Sequence, residues 1–347
     1  MPDGRTNPKP KAAMTQQFDV LAIGNAIVDV IAQADDDFLI AHSVRKGAMT
    51  LIDEDRAEKL YQAMGPTTVI SGGSAANTAV GLASLGARAA FIGKVRDDTL
   101  GGSFSHDIRA SKVHFATPPA SAGPATARSF IMVSPDGQRT MNTYLGAAQN
   151  LAPGDIDGAA VQSAAIVYLE GYLWDPPAAK EAFVKAASLA HAASRRVALT
   201  LSDAFCVDRY REEFLNLIRT GVVDVLFANE AELHALYQTA DFATAVEALR
   251  NEGSVLGIVT RSEQGAVVVS REATVVVSAL PVDRVIDTTG AGDLFAAGFL
   301  AGLARGAEHR ECARLGALAA AEIIQHFGAR PQTDLAALAA QNGLAVS

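Results

Sequence analysis

"DTTGAGDLFAAGFLAGLARG", residues 287–306, runs into an alanine-rich helical pattern through a stretch almost bare of side chains. A strand-to-helix turn needs one glycine at most, yet Gly290, Ala291 and Gly292 stand together between Asp287 and Asp293. Helical spacing begins where this bare backbone ends. Its amide N–H groups are therefore unpaired and sit at the positive end of a helix dipole. Such a start is an anion site suited to phosphate. Asp293 lies inside it, where negative charge would repel an anion, so this carboxylate makes more sense as a proton acceptor than as a binder.

Upstream, short apolar runs without alternation recur: "VLAIG" at 20–24, "AAFIG" at 89–93, "AAIVYLEG" at 164–171, "RVALTLSD" at 196–203, "VVDVLFANE" at 222–230 and "VLGIVT" at 255–260. Runs of this kind fit strands buried on both faces of a parallel sheet. Helical patterns such as "AANTAVGLASLG" and "AAKEAFVKAASLAHAAS" lie between several of them, which predicts a doubly wound α/β sheet. The runs end in Asn25, Gly93, Glu170, Asp203, Asn229 and Thr260. In an open α/β sheet ligands bind beyond the carboxyl ends of the strands, so six such endings predict a shared crevice. Two segments break the alternation. Residues 34–53 lack a clear crossover helix, and residues 128–144 read as two alternating strands around Ser134-Pro135-Asp136-Gly137, a turn signature. That hairpin is expected to project from the parallel sheet as a small β lid.

Whole-chain properties narrow the function class. A length of 347 residues, 49% apolar content and 29 glycines suit one large alanine-rich α/β domain over 17–335, with lid segments near 32–53 and 115–150. A net charge of −9 argues against nucleic acid or an anionic membrane as a partner. Cys206 and Cys312 have neither metal spacing nor a framework, which makes a reducing cytoplasm the default. No apolar run approaches the roughly 20 residues of a membrane span. Residues 1–16 lack the apolar core of a signal peptide and read as a disordered leader.

Known phosphate loops fit poorly. Gly93-Lys94 lacks the earlier glycine of a P-loop, and Phe295 stands where G-x-G-x-x-G would need its third glycine. The seven histidines show no zinc spacing. By contrast "DTTGAGDLFAAGF" resembles the C-terminal signature of the ribokinase-like (PfkB) kinases of sugars and nucleosides. "GGSAANTAVGLASLGARAAFIGKVRDDTLG", residues 72–101, resembles their N-terminal signature, and Asn229-Glu230-Ala231-Glu232 matches N-x-x-E. The resemblance runs from about residue 18 to 330 and implies a three-layer α/β/α sandwich, mostly parallel, with a small β lid.

It also implies roles. Gly290, Ala291 and Gly292 would supply amides to the transferring γ-phosphoryl group of ATP, and Asp293 would take the proton of the attacking hydroxyl. Arg139, in the hairpin, matches an arginine brought over the phosphates. Asp287 has a family counterpart near the phosphates or a monovalent cation such as K+. Asn25, Asp29, Gly72, Gly73, Ser74 and Asn77 fall where relatives meet the acceptor's hydroxyls. Taken alone, Asp29 would be a solvated loop residue. Asn229 would serve phosphate and Glu232 Mg2+, often through water; individually they could be a helix N-cap and its first-turn acid. Thr260 and Gly265 match the ATP-loop pattern T-x-G-x-x-G, but Ser262 stands where glycine is usual.

Three details favour a nucleoside over a sugar: "GNAIVD" at 24–29, Ser74 in "GGSAANT", and "LSDAFCVDRYREEF" at 201–214 all follow the adenosine kinase form. Tyr172 would stack on the purine. The resemblance thus implies ATP-dependent phosphorylation of the 5′-hydroxyl of a purine ribonucleoside, adenosine to AMP, by a monomer or homodimer. A ribose or fructose kinase, and a catalytically inactive ligand sensor on the same fold, stay open.

Overall fold

The computed structural model describes residues 16–136 and 138–344. The expected leader therefore lies outside the described residues except for Gln16, and so does Gly137 of the hairpin turn.

Two sheets organise these residues. The larger has nine strands, ordered Thr274–Val277, Ala266–Val269, Leu256–Thr260, Val225–Asn229, Arg196–Thr200, Ala164–Glu170, Phe18–Ile23, Ala89–Ile92 and His114–Phe115. Its six central strands are the six apolar runs of the sequence, and every pair among them is parallel. Antiparallel pairing enters only at the edge, where Ala266–Val269 returns beside Leu256–Thr260 and pairs with Thr274–Val277. Buried residues fall on both faces of the central strands, in two apolar clusters under two layers of helix. This is the three-layer, mostly parallel sandwich that the unbroken apolar runs require.

The smaller sheet has five strands, ordered Met49–Leu51, Arg139–Tyr144, Ala127–Val133, Ile27–Gln33 and Thr68–Gly72. The hairpin of residues 128–144 forms two of them, antiparallel as expected. The segment after the first strand differs from its sequence reading. Ile27–Gln33 is a strand of this second sheet, so Asp29 stands in a strand opposite Ile70 and Ser129, not in a solvated loop. A short helix, Asp36–Ala41, follows, capped by Asp35.

The helix Ala291–Ala304 shows why the composition matters. Ten consecutive residues, Leu294–Leu303, are buried, so no polar face exists and the helix must be enclosed by others. Enclosure works because its neighbours are small. A Cβ on Gly81 of the helix Ser74–Ser84 would stand 2.6 Å from Leu294 Cδ1 and 2.8 Å from Ala297. A Cβ on Gly298 would collide with the backbone of the helix His309–Ile323 at Leu315 and Gly316. Glycine at these points lets three helices pack at backbone distance, and that approach brings the start of the helix Ser74–Ser84 against Asp293. Each large apolar side chain enclosed this way, such as Phe299 or Leu300, stabilises by about 1.5–3 kcal/mol.

Candidate active site

The carboxyl ends of the parallel strands open into a cavity of about 760 Å3. Asn25, Glu170, Asp203, Asn229 and Thr260 all line it, five of the six strand endings singled out in the sequence. Gly93 does not. Its missing Cβ is required by packing, since one would stand 2.5 Å from the Phe91 ring and 2.8 Å from the Gly24 carbonyl.

Gly290 forms the N-cap of the helix Ala291–Ala304 in the left-handed region, φ +81°, and a Cβ there would meet Ala329 at 2.8 Å. No side chain caps this helix. The Ala291 amide donates to the Thr288 carbonyl at 3.2 Å, so it is spent on the turn. Of the three amides the sequence singled out, that of Ala291 is therefore engaged, while those of Gly290 and Gly292, joined by Asp293, have no acceptor among the described residues. Arg139 reaches it from the smaller sheet, pairing with Asp287 and donating to Thr289 Oγ1 at 2.7 Å. Asp287 is buried, and also accepts from the Thr289 amide at 3.0 Å and the Gly328 amide at 3.1 Å. Burial alone would raise its carboxyl, but these donors and the Arg139 charge hold it below the ordinary value.

Asp293 points its carboxylate at the neighbouring helix. Ser74 Oγ donates to Oδ1 at 2.7 Å and Asn77 Nδ2 to Oδ2 at 3.0 Å, while Thr78 Oγ1 donates to the Asp293 carbonyl at 3.1 Å. Burial raises the Asp293 carboxyl, and the Ser74 and Asn77 bonds pull it back. The result is an oriented carboxylate more basic than a free one, beside an uncapped helix start.

Asp29 faces the same cavity from the smaller sheet. Burial pushes its carboxyl up to about 7, opposed by the charges of Arg139 and Arg330, with Asp293 adding to the rise. Gly72 is required by it, because a Cβ at 72 would stand 2.8 Å from Asp29 Cγ. Gly73, at φ +95°, lies tight against the Asn25 carbonyl. Gly73, Ser74, Asn77 and Tyr172 line the cavity; Gly72 sits behind Asp29.

Asn229 and Glu232 also line the cavity and hold one another. Asn229 Oδ1 accepts from the Glu232 amide at 2.8 Å, and the Glu232 carboxylate accepts from the Asn229 amide at 3.0 Å and from Nδ2 at 2.5 Å. This is a reciprocal capping box at the helix Glu230–Tyr237. Burial raises Glu232 to about 7, with the nearby charge of Asp203 adding to the rise. Among the described residues, no group of three or more His, Cys, Asp or Glu is arranged to hold a metal ion. Thr260 lines the cavity, whereas Gly265, φ +86°, lies against the Val277 carbonyl outside it. Ser262 sits at φ +50°, a left-handed position that glycine takes without steric cost.

Three residues went unassigned in the sequence. Glu170, 1% exposed, accepts from Asn25 Nδ2 at 2.8 Å, the Asn25 amide at 3.3 Å and the Ala75 amide at 2.9 Å. It ties the first strand to the Ser74–Ser84 helix start, and burial raises it to about 7. Asp203 caps the helix Ala204–Arg219 from the cavity wall. Phe205, 64% exposed, presents its ring at the cavity with the Arg209 guanidinium 4.6 Å from its centroid. Glu170 and Asp203 were visible as strand endings; the exposure of Phe205 carried no sequence signal.

Residues 19–335 match the pfkB family carbohydrate kinases. The chain is similar to adenosine kinase from Sinorhizobium meliloti, at 55% identity and a TM-score of 0.89, over 94% of this chain and 99% of that one. It is similar to a probable sugar kinase protein from Rhizobium etli CFN 42, at 51% identity and a TM-score of 0.90, over 95% and 100%. It also aligns at 37% identity with the cytidine kinase of Thermococcus kodakarensis, over 34% of this chain and 45% of that protein. With both signatures converging on one cavity, the chain belongs to the pfkB family of carbohydrate kinases, phosphotransferases that act on hydroxyl groups.

Proposed function

We propose that the protein transfers the γ-phosphoryl group of ATP to the 5′-hydroxyl of a purine ribonucleoside, adenosine to AMP. What supports a nucleoside over a free sugar is the wall beside Asp29. Met49, Leu51, Ile131 and Met141 of the smaller sheet line the same cavity as Asp29, Tyr172 and Phe205. A sugar's hydroxyls have no use for that apolar wall, whereas a planar base stacks on it. The solved relative from Sinorhizobium meliloti, named as an adenosine kinase, agrees with this acceptor.

The family uses ATP, generally with Mg2+. The cradle fits a phosphate, having the Gly290, Gly292 and Asp293 amides without acceptors among the described residues and Arg139 at its edge. Mg2+ neutralises phosphate charge when bound. Glu232 lines the cavity and would serve the ion through a bound water, with Asn229 holding its carboxylate in place.

In the transfer, Asp293 accepts the proton of the 5′-hydroxyl as that oxygen bonds to the γ-phosphorus, and the bond to the β–γ bridging oxygen breaks to leave ADP. Ser74 and Asn77 keep the Asp293 carboxylate aimed. The amides of Gly292 and Asp293, with Arg139, stabilise charge on the equatorial oxygens. Asp29 accepts from the vicinal ribose hydroxyls, fixing the 5′-oxygen before the proton leaves.

A thermal-shift panel of adenosine, inosine, guanosine, ribose and fructose, paired with a coupled ADP assay, tests the assignment. Stabilisation and turnover with a purine nucleoside are expected. Turnover confined to ribose or fructose would transfer the activity to the sugar-kinase reading, and binding without turnover to the inactive sensor.

A further inference from the structure

Glu322 stands in the last turn of the helix His309–Ile323, where the helix dipole is negative and an acid is unfavourable. It is also only 6% exposed, and a carboxylate is costly to bury unless donors serve it. Nothing local accounts for an acid at this position; its partners lie in the loop that follows. Oε1 accepts from the Gln332 amide at 3.0 Å, the Thr333 amide at 3.0 Å and Thr333 Oγ1 at 3.1 Å, with His326 Nε2 3.2 Å away. Oε2 has no partner among the described residues, so one oxygen makes the whole connection.

The loop held this way lies along the turn that enters the helix Ala291–Ala304. At its start the Ile324 carbonyl accepts from the Ile286 amide at 2.8 Å and the Asp287 amide at 3.3 Å. Further on, the Gly328 amide donates to Asp287 Oδ2 at 3.1 Å. Ala329 lines the cavity and lies so near Gly290 that a Cβ there would stand 2.9 Å from the Ala329 Cα. At the loop's end Ser84, last residue of the helix Ser74–Ser84, donates to the Thr333 carbonyl at 3.3 Å and accepts from the Leu335 amide at 3.0 Å. Residues 328 and 329 are thus held on the turn by anchors on either side, and Glu322 makes three of the bonds at the far anchor. Among the described residues, no hydrogen bond joins residues 324–333 to Asn25, Asp29, Ser74 or Asn77.

We propose that Glu322 is a positioning residue for phosphoryl transfer, its buried carboxylate setting the loop that holds Asp287 and packs on the Gly290 turn, and so fixing the shape of the phosphate cradle. This rests on that turn being the phosphate site. It places one determinant of the cradle's geometry in a helix end that does not line the cavity and lies outside both family signatures.

The test compares the wild type, Glu322→Ala, Glu322→Gln and Thr333→Val by steady-state kinetics, by calorimetry with ATP and with adenosine, and by Tm from circular dichroism. Glu322→Ala frees the loop, so kcat/KM for ATP should fall by about 10–100-fold while the adenosine Kd stays within about twofold. Glutamine keeps an oxygen for all three donors, and Glu322→Gln should recover most of that loss. Thr333→Val removes one donor of the three and should lower kcat/KM for ATP by about threefold. A role confined to stability would lower Tm without separating ATP from adenosine. An unchanged kcat/KM for ATP in Glu322→Ala, an equal loss for both ligands, or no recovery in Glu322→Gln would each overturn the inference. Should Glu322→Ala fail to fold, Thr333→Val decides, and an unchanged kcat/KM for ATP overturns it. Failure of the acceptor assignment is separate: if the wild type turns over ribose or fructose instead, the same comparison runs with that sugar. If it turns over none of them, the transfer reading fails by itself and ATP affinity becomes the readout, where an unchanged Kd in Glu322→Ala overturns the inference.

Discussion

Ser74 Oγ donates to Asp293 Oδ1 at 2.7 Å, joining the first residue of one helix to the third residue of another across 219 positions of chain. The bond exists because Gly81 lets the two helices meet at backbone distance two turns further along. One hydroxyl thereby aims the carboxylate and tempers its basicity.

Asp293→Asn should lower kcat by about 10²–10⁴-fold while nucleoside and ATP still bind, because the amide keeps the shape and loses the base. Steady-state kinetics with binding by calorimetry checks it. A matching loss of affinity would contradict the role.

Ser74→Ala removes a bond that lowers the Asp293 carboxyl, so its pKa rises further. The acidic limb of the kcat–pH profile should then move to higher pH. A limb that stays put would mean that another group titrates there.

Asp29→Ala should weaken acceptor binding by about 10–100-fold, the scale of charge-assisted hydrogen bonds to hydroxyls. The KM for ATP should stay near wild type. Titration of adenosine against the variant reads the effect directly.

Asp29, Glu170 and Glu232 are each raised to about 7 by burial. Between the unfolded carboxylate range near 4 and about 7, the folded state holds more protons than the unfolded state. Stability of the ligand-free protein should therefore fall as pH rises through that window and level off above it. Glu170→Gln should flatten the decline, measured as Tm against pH; a wild-type Tm that rises through the window would refute the assignment.

Two glycine substitutions should have opposite signs. A Cβ at Gly24 would press on the Glu170 carboxylate and stand 2.6 Å from Ala75 Cβ, so Gly24→Ala should cost about 1–3 kcal/mol. Gly102, within the helix Thr99–Ala110, has open space around it, and Gly102→Ala should stabilise by about 0.5–1 kcal/mol. Denaturant unfolding of both variants measures the contrast.

Much of the lining of the candidate site was legible in the sequence, and for local reasons. The glycine run at 290–292 announces a bare helix start because a side chain there would be visible in the letters themselves. Asn229 and Glu232 could be read two ways, and the backbone shows the capping reading to be real while leaving both at the cavity. The Ala291 amide could not be assigned in advance, since its partner, the Thr288 carbonyl, depends on how tightly the turn closes. Ser262, conspicuous as a departure from glycine, proves to hold the left-handed backbone that explains the usual choice.

By itself the chain determined the parallel sheet, the uncapped helix and the identity of the proposed base. Each of these follows from the order of neighbouring residues and from the periods of strand and helix. Only the tertiary structure decided that Gly72 makes room for Asp29, that Glu170 ties Asn25 to Ala75, and that Arg139 of the smaller sheet pairs with Asp287. Those relations join residues far apart in the chain through burial and charge. A field or a close approach depends on distance in space, which the order of residues does not encode.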